Sequence, residues 1–243
     1  MSSSKNMPKV QERTTPSRAQ WAWEWVKTLS VAFVIFLFVR TFLVEAFRIP
    51  TGSMERTLLI GDFLLVNKAV YGATIPMTDL RLPGFRDPHR GDVVVFTNPE
   101  DGKSNFVKRI VGLPGDTLEM RDGVLYVNGE RELEPYVQRV DPSSDEYSPR
   151  FEWQRSFLAP SARGKSYRPT RDDWGPIVVP DASYFALGDN RDNSLDSRYW
   201  GFVPQRLIKG RPLIIYYSFD RAPKHPFPWI VDARWGRIGD VVR

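Results

Sequence analysis

Residues 28–39 read Thr-Leu-Ser-Val-Ala-Phe-Val-Ile-Phe-Leu-Phe-Val, apolar apart from the hydroxyls of Thr28 and Ser30. No other stretch restricts the fold as much. Twelve residues are too few to cross a bilayer and on their own suit the core of a secretory signal. The flanks alter that reading. Trp21, Trp23 and Trp25 make an aromatic belt, and Lys27 and Arg40 can extend their charged ends towards head groups. Trp23 to Val44 is 22 residues. That is ~33 Å of helix at ~1.5 Å per residue, against a hydrocarbon core of ~30 Å. No small-x-small cleavage site follows, because the chain runs directly into Phe47-Arg48-Ile49-Pro50. We therefore expect a retained transmembrane anchor over residues 22–44. A buried helix of a soluble domain is the competing reading, and it fits three tryptophans and the adjacent charges less well. Residues 1–21 carry Lys5, Lys9, Arg13 and Arg18 against Glu12 and read as a disordered basic tail. Its charge places the N-terminus in the cytoplasm and everything beyond the anchor on the far side.

Composition limits the chemistry. The 243 residues contain no cysteine and two histidines, His89 and His225. Thiol catalysis, disulfides and thiolate metal sites are thereby excluded, and the histidines have no HExxH spacing, so no metal and no cofactor is expected. The net charge is +5, with the basic residues scattered rather than striped. Lipid head groups suit that distribution, and nucleic acid does not.

Beyond the anchor, short β-like runs alternate with Gly-Asp turns. Phe63–Val66, Val93–Phe96, Val107–Val111, Val124–Val127, Tyr184–Leu187 and Leu213–Tyr217 are strand candidates, and Asn128-Gly129 is a hairpin signal. No long helical periodicity appears after residue 60. The expected fold class is all-β, a mainly antiparallel catalytic core over residues 45–127 and 181–243, plus the one helix. Residues 128–180, rich in Arg, Asp, Ser and Pro, read as an inserted loop-rich β subdomain, with a partly disordered surface loop as the alternative.

Two segments carry candidate chemistry. Ile49-Pro-Thr-Gly-Ser53-Met sets a serine on a kinked turn, and Val107-Lys108-Arg-Ile-Val-Gly-Leu-Pro-Gly-Asp116 sets a lysine among apolar residues. A serine nucleophile needs a base, and a lysine can serve only if burial lowers its pKa from about 10.4 towards neutrality. Alone, each motif is weak, since such serines usually cap turns and a Lys-Arg pair is usually solvated. A third segment, Gly188-Asp-Asn-Arg-Asp-Asn-Ser194-Leu-Asp196-Ser-Arg198-Tyr-Trp-Gly201, adds weight. Seven of its fourteen residues are Asp, Asn or Ser, and it lies between two strand candidates. His89 sits in a turn context, and a Ser-His-Asp reading would leave the Lys108 segment without a role.

With these motifs in order, and with Gly61-Asp-Phe-Leu-Leu-Val-Asn-Lys68 between them, the chain from about Arg40 to Val203 resembles the type I signal peptidases. These are membrane-bound Ser/Lys endopeptidases that remove signal peptides at Ala-X-Ala sites. The closing Trp229…Arg234-Trp-Gly-Arg-Ile-Gly239 resembles the C-terminus of Gram-negative members. The resemblance implies that Ser53 attacks and Lys108 serves as general base. It gives Ser194 the hydroxyl that orients the lysine, and Asp196 and Arg198 a supporting ion pair. The Ser53 N–H and the Thr51 hydroxyl would hold the oxyanion. Phe47, Ile49, Leu64, Val95, Phe106 and Val107 would line shallow pockets for small side chains at positions −1 and −3, though each could equally be core. Thr51 departs from the family's small residue, and Arg56 stands where many members have proline. The implied partners are signal peptides of exported preproteins and membrane lipids, and the implied place is the bacterial inner membrane. A dedicated processing peptidase of a specialised secretion or pilus system, and a catalytically dead tethered module that binds exported peptides, are the alternatives.

The anchor reading has a direct test. A phosphatase-type reporter fused after Arg243 should be active only outside the cytoplasm, and cytoplasmic activity would overturn it.

Overall fold

A computed structural model of the protein describes residues 17–75, 78, 80–141, 145, 147–164, 166–220, 225 and 227–243. Most of the expected basic tail, residues 1–16, lies outside the described residues. Two units are described separately, residues 17–39 and 40–243.

In the first unit, helix α1 runs from Arg18 to Phe38. Ser17 begins it with a reciprocal cap, in which its hydroxyl accepts from the Gln20 N–H and the Gln20 side chain accepts from the Ser17 N–H. The tryptophans and the large aliphatic and aromatic side chains of α1 are exposed all round, with no buried residue. The span Arg18–Leu43 is long and apolar enough to cross a membrane. The expected anchor reached Val44, but a π-helical turn over Val39–Leu43 ends the helix and Val44 begins a strand.

The second unit holds two antiparallel sheets, as the period-2 patterning requires. The larger follows the order β1 (Val44–Arg48), β2 (Asp62–Asn67), β11 (Ile208–Ser218), β3 (Val93–Thr97), β4 (Asn105–Gly112), β9 (Ser183–Leu187) and β10 (Val203–Pro204). The smaller follows β7 (Glu130–Arg131), β6 (Val124–Val127), β5 (Thr117–Arg121) and β8 (Trp174–Val178). The Asn128-Gly129 signal is met as a hairpin from β6 to β7, with φ of 53° and 86° at its two central residues. The smaller sheet begins at Thr117, so residues 117–127 pair outside the larger sheet. The sequence could not show this, because a strand's partner is set by tertiary packing rather than by its own pattern.

All six strand candidates are strands, and β1, β5, β7, β8 and β10 are additions to them. Both β1 and β5 carry charge among their apolar residues, and Pro176 lies within β8, which weakens the strand pattern. Strand β11 is the hinge of the larger sheet. Its Arg211–Ser218 portion pairs with β2, and its Ile208 and Gly210 pair with β3. A Cβ on Gly210 would stand 2.4 Å from the Asn67 carbonyl oxygen, so glycine is what allows this close approach.

Alternation along β3 divides the core. Val93 and Val95 pack with Ile49, Met54, Leu58, Leu64 and Val66, whereas Val94 and Phe96 pack with Ile110, Tyr184 and Ala186. A third cluster, around Leu118, Trp174, Ile177 and Phe185, joins the smaller sheet to β4 and β9. The junction is tight at Gly112, where a Cβ would lie 2.4 Å from Leu118 Cδ1 and 3.0 Å from Phe185 Cβ. Gly112→Ala should lower unfolding free energy by about 1–3 kcal/mol through overpacking, measured by denaturant titration.

Candidate active site

Three segments distant in sequence converge: the turn after β1, strand β4, and the loop from Gly188 to Gly201 between β9 and β10. Pro50 cannot donate to the ladder, and the chain leaves β1 there and folds into a tight turn. Glu55 N–H donates to the Gly52 carbonyl at 3.0 Å and Leu58 N–H to the Met54 carbonyl at 2.7 Å. Met54 and Leu58 are buried and fix the turn to the core, leaving Ser53 at its apex, 8% exposed.

Lys108 reaches the turn from β4. Its Nζ lies 2.7 Å from Ser53 Oγ and donates to the Val107 carbonyl at 3.0 Å, passing 5.3 Å from the centre of the Phe106 ring. The side chain is 4% exposed. Burial lowers its pKa from 10.5 to about 8, against the pull of the Asp196 and Asp189 carboxylates, which favour the ammonium. The uncharged amine, which can accept the Ser53 proton, is therefore about a tenth of the population at pH 7 and about half at pH 8, whereas a solvated lysine would hold almost none.

The loop supplies the charges that face this lysine. Asp196 and Arg198 form a fully buried bidentate pair, with both N···O distances 2.8 Å. Burial alone would raise the Asp196 carboxyl, but Arg198 and the Gly188 N–H hold it below the usual range. The loop is tied to the Ser53 turn at several points. The Asn190 N–H donates to the Ser53 carbonyl and its Nδ2 to the Gly52 carbonyl, each at 3.1 Å, and Thr57 Oγ1 donates to Asp189 at 2.5 Å. Asp189 in turn accepts from Arg109 Nε and a terminal guanidinium nitrogen at 2.8 and 2.6 Å. Glycine is required at 188, where a Cβ would come within 2.2 Å of Ser194 Oγ and 2.5 Å of the Ser53 carbonyl oxygen.

A cleft of about 770 Å³ opens over Ser53 and Lys108. Phe47, Ile49, Phe106 and Val107 line it, with Thr51 and Ser194. Leu64 and Val95 do not. They are fully buried opposite Phe47 and Val107 and pack with Met54, Leu58, Val66 and Val93 in the core. Thr51 is exposed at the cleft. Ser194 is buried, and its hydroxyl is unpaired among the described residues, although it stands near enough to Asp196 to help lower that carboxyl. His89 Nδ1 lies 2.5 Å from Arg86 within an Asp92-centred cluster that shares no lining residue with the cleft.

Arg109, Asp189 and Asn190 are structurally central, yet sequence reasoning gave them no role. Adjacency was the available signal: Arg109 follows Lys108, and alternation along a strand must send the two cations to opposite faces. Arg56 has φ 82°, a left-handed conformation closed to proline, whose ring fixes φ near about −65°.

Comparison with known proteins agrees with the motifs. The family model described as signal peptidase, peptidase S26 matches residues 22–217. Signal peptidase I of Pseudomonas aeruginosa is 39% identical over 210 residues, covering 81% of this chain and 72% of the relative. Probable signal peptidase I-2 of Synechocystis is 36% identical, covering 86% and 79%. Signal peptidase I of Aquifex aeolicus is 35% identical, covering 78% and 82%. A crystal structure of a signal peptidase I from Enterococcus faecalis matches at 33% identity with a TM-score of 0.35, covering 52% of this chain and 97% of that one.

Any reaction that uses Lys108 as base should lose rate as the amine protonates. The expected kcat/KM therefore falls on the acid side of a midpoint at about 8, with a slope of one proton, and is level above it. A pH–rate profile with a midpoint in the ordinary histidine range, moved by His89→Ala, would refute this.

Proposed function

The chain belongs to the signal peptidase family, peptidase S26, and on that basis we propose that it removes signal peptides from exported preproteins as a Ser53/Lys108 endopeptidase. The observation that carries the reading is the 2.7 Å contact between a serine hydroxyl and a lysine amine that is almost out of water. The same contact in water would be an ordinary ammonium–hydroxyl hydrogen bond with no basic capacity.

In the proposed reaction, Ser53 Oγ attacks the carbonyl carbon of residue −1 as its proton passes to Lys108 Nζ. The tetrahedral oxyanion takes hydrogen bonds from the Ser53 N–H and the Thr51 hydroxyl. The Lys108 ammonium then protonates the leaving amine, which departs as the mature N-terminus. Water, deprotonated by Lys108, hydrolyses the acyl-enzyme and restores Ser53. The Ser194 hydroxyl, unpaired among the described residues before substrate arrives, turns to accept from the lysine and orient it as the serine proton is transferred, and the Asp196–Arg198 pair keeps the loop that carries Ser194 in place. The signal peptide lies extended in the cleft, so that residues −1 and −3 face Phe47, Ile49, Phe106 and Val107 while −2 points away.

Orientation and location follow from the basic tail and the apolar helix. The N-terminus is cytoplasmic and the catalytic unit works at the outer face of the bacterial inner membrane, against lipid. A substrate delivered across the same bilayer then meets the cleft close to where its signal helix ends.

The decisive experiment is precursor cleavage by purified protein in detergent. Ser53→Ala and Lys108→Ala should each reduce kcat/KM by at least ~1000-fold with the fold intact, because nucleophile and base act as a unit. Lys108→Arg should be equally inactive, since a guanidinium does not deprotonate in this range. Cleavage by Lys108→Arg would sink the mechanism.

A further inference from the structure

The insertion between β7 and β8 has no part in the chemistry proposed above, yet one short stretch of it, Glu134–Asp141, touches all three segments that build the site. Against the loop it forms a parallel bridge: the Gln138 N–H donates to the Asp189 carbonyl at 2.8 Å and the Arg191 N–H to the Gln138 carbonyl at 3.0 Å. The N–H groups of Val140 and Asp141 both donate to Asp192 Oδ2, at 2.7 and 2.8 Å. The carboxylate of Glu134 receives two guanidinium nitrogens of buried Arg191, one at 2.9 Å, and Arg191 Nε donates to the Gly188 carbonyl at 3.1 Å. Against β4, the Tyr136 ring lies 3.8 Å from the Arg109 guanidinium, one residue from the base. Against the nucleophile turn, Arg56 donates through a terminal nitrogen to the Val137 carbonyl at 3.0 Å.

These contacts converge on the relative position of Ser53 and Lys108, which are joined directly by a single hydrogen bond. We propose that Glu134–Asp141 is a brace that sets the distance between nucleophile and base, with Arg56 and Tyr136 as its positioning residues. The proposal rests on the catalytic reading above. Arg56 is the more telling of the two. It is exposed and holds φ 82°, where glycine would sit without strain, so backbone preference alone disfavours arginine there. Its tether to Val137 is what an arginine adds. Tyr136 keeps the Arg109 face covered, so that the guanidinium stays flat against the Asp189 carboxylate rather than following water outward.

The test compares Arg56→Gly with Arg56→Lys, and Tyr136→Leu with Tyr136→Phe, using full-length protein in detergent and a precursor substrate. Arg56→Gly relieves the backbone, so its Tm should be equal or higher, yet kcat should fall ~10-fold or more with KM little changed, as expected for misplaced reacting groups. Lysine keeps a donor for the Val137 carbonyl and phenylalanine keeps the stacked ring, so both should restore most of kcat. If Arg56→Gly retains full kcat in an otherwise active enzyme, the brace is overturned while the Ser/Lys reading stands. The brace is equally overturned if Arg56→Lys loses as much as Arg56→Gly. Should Tyr136→Leu fail to fold, the exposed Arg56 pair alone decides the question. A wild-type protein that cleaves no precursor overturns both readings.

Discussion

Everything in the catalytic unit depends on keeping water away from one amine. A solvated lysine is an ammonium at physiological pH, and the largest influence that lowers this one is burial, ahead of the nearby Arg198 guanidinium. Phe106 on its own strand and the nucleophile turn cover Lys108, and the covering shifts the proton equilibrium to about pH 8. The burial that activates the amine also penalises every charge nearby, so the surrounding ions must be closely matched. Asp196 meets Arg198, and Asp189 meets Arg109, each carboxylate satisfied at two oxygens. A lone carboxylate at either place would draw the proton back to the lysine.

This pairing costs stability in the abstract, since two buried ions repay their desolvation only with good geometry and satisfied lone pairs. Here the remaining valences are taken up by backbone: the Gly188 N–H on Asp196, the Arg191 carbonyl on Arg198, and the Gly91 carbonyl on Arg109. The loop, whose regular structure is a 3-10 turn at Arg191–Asn193 and one helical turn at Ser197–Trp200, is thus held mainly by these side-chain bonds. Its many polar side chains are buried and directed at main-chain groups, which is the reverse of what such a composition means on a surface loop.

The sequence disclosed the elements whose physics is local. Six strands, the hairpin at Asn128-Gly129 and the exposed apolar helix follow from alternation, turn chemistry and length. The Ser53–Lys108 meeting was legible only through the order of motifs, because no local rule brings two residues 55 positions apart within hydrogen-bond distance. What stayed hidden was non-local. The Lys-Arg pair reads as solvated until the carboxylate of Asp189, 80 positions on, is seen against Arg109. Leu64 and Val95 suit a pocket wall by residue type, yet they pack with Met54, Leu58, Val66 and Val93 in the core. The start of the smaller sheet at Thr117 depended likewise on its partner strand β8, where Thr117 pairs with Val178, 61 positions further on.

The pairing of β2 with β11 joins Asn67 to Arg211, and the loop that faces Ser53 begins only at Gly188. Chains dominated by such distant pairings fold slowly, because long loops must close before any contact rewards the closure. A polypeptide emerging from its N-terminal side exposes the serine early, but the carboxylates, the covering loop and the strand that closes the sheet come more than a hundred residues later. Until the loop and that strand arrive the fold that buries the lysine is incomplete, and the amine remains hydrated and charged. On the proposed mechanism, hydrolytic competence is thereby coupled to synthesis of the segment from Gly188 onward, and a copy cut short before it is inert.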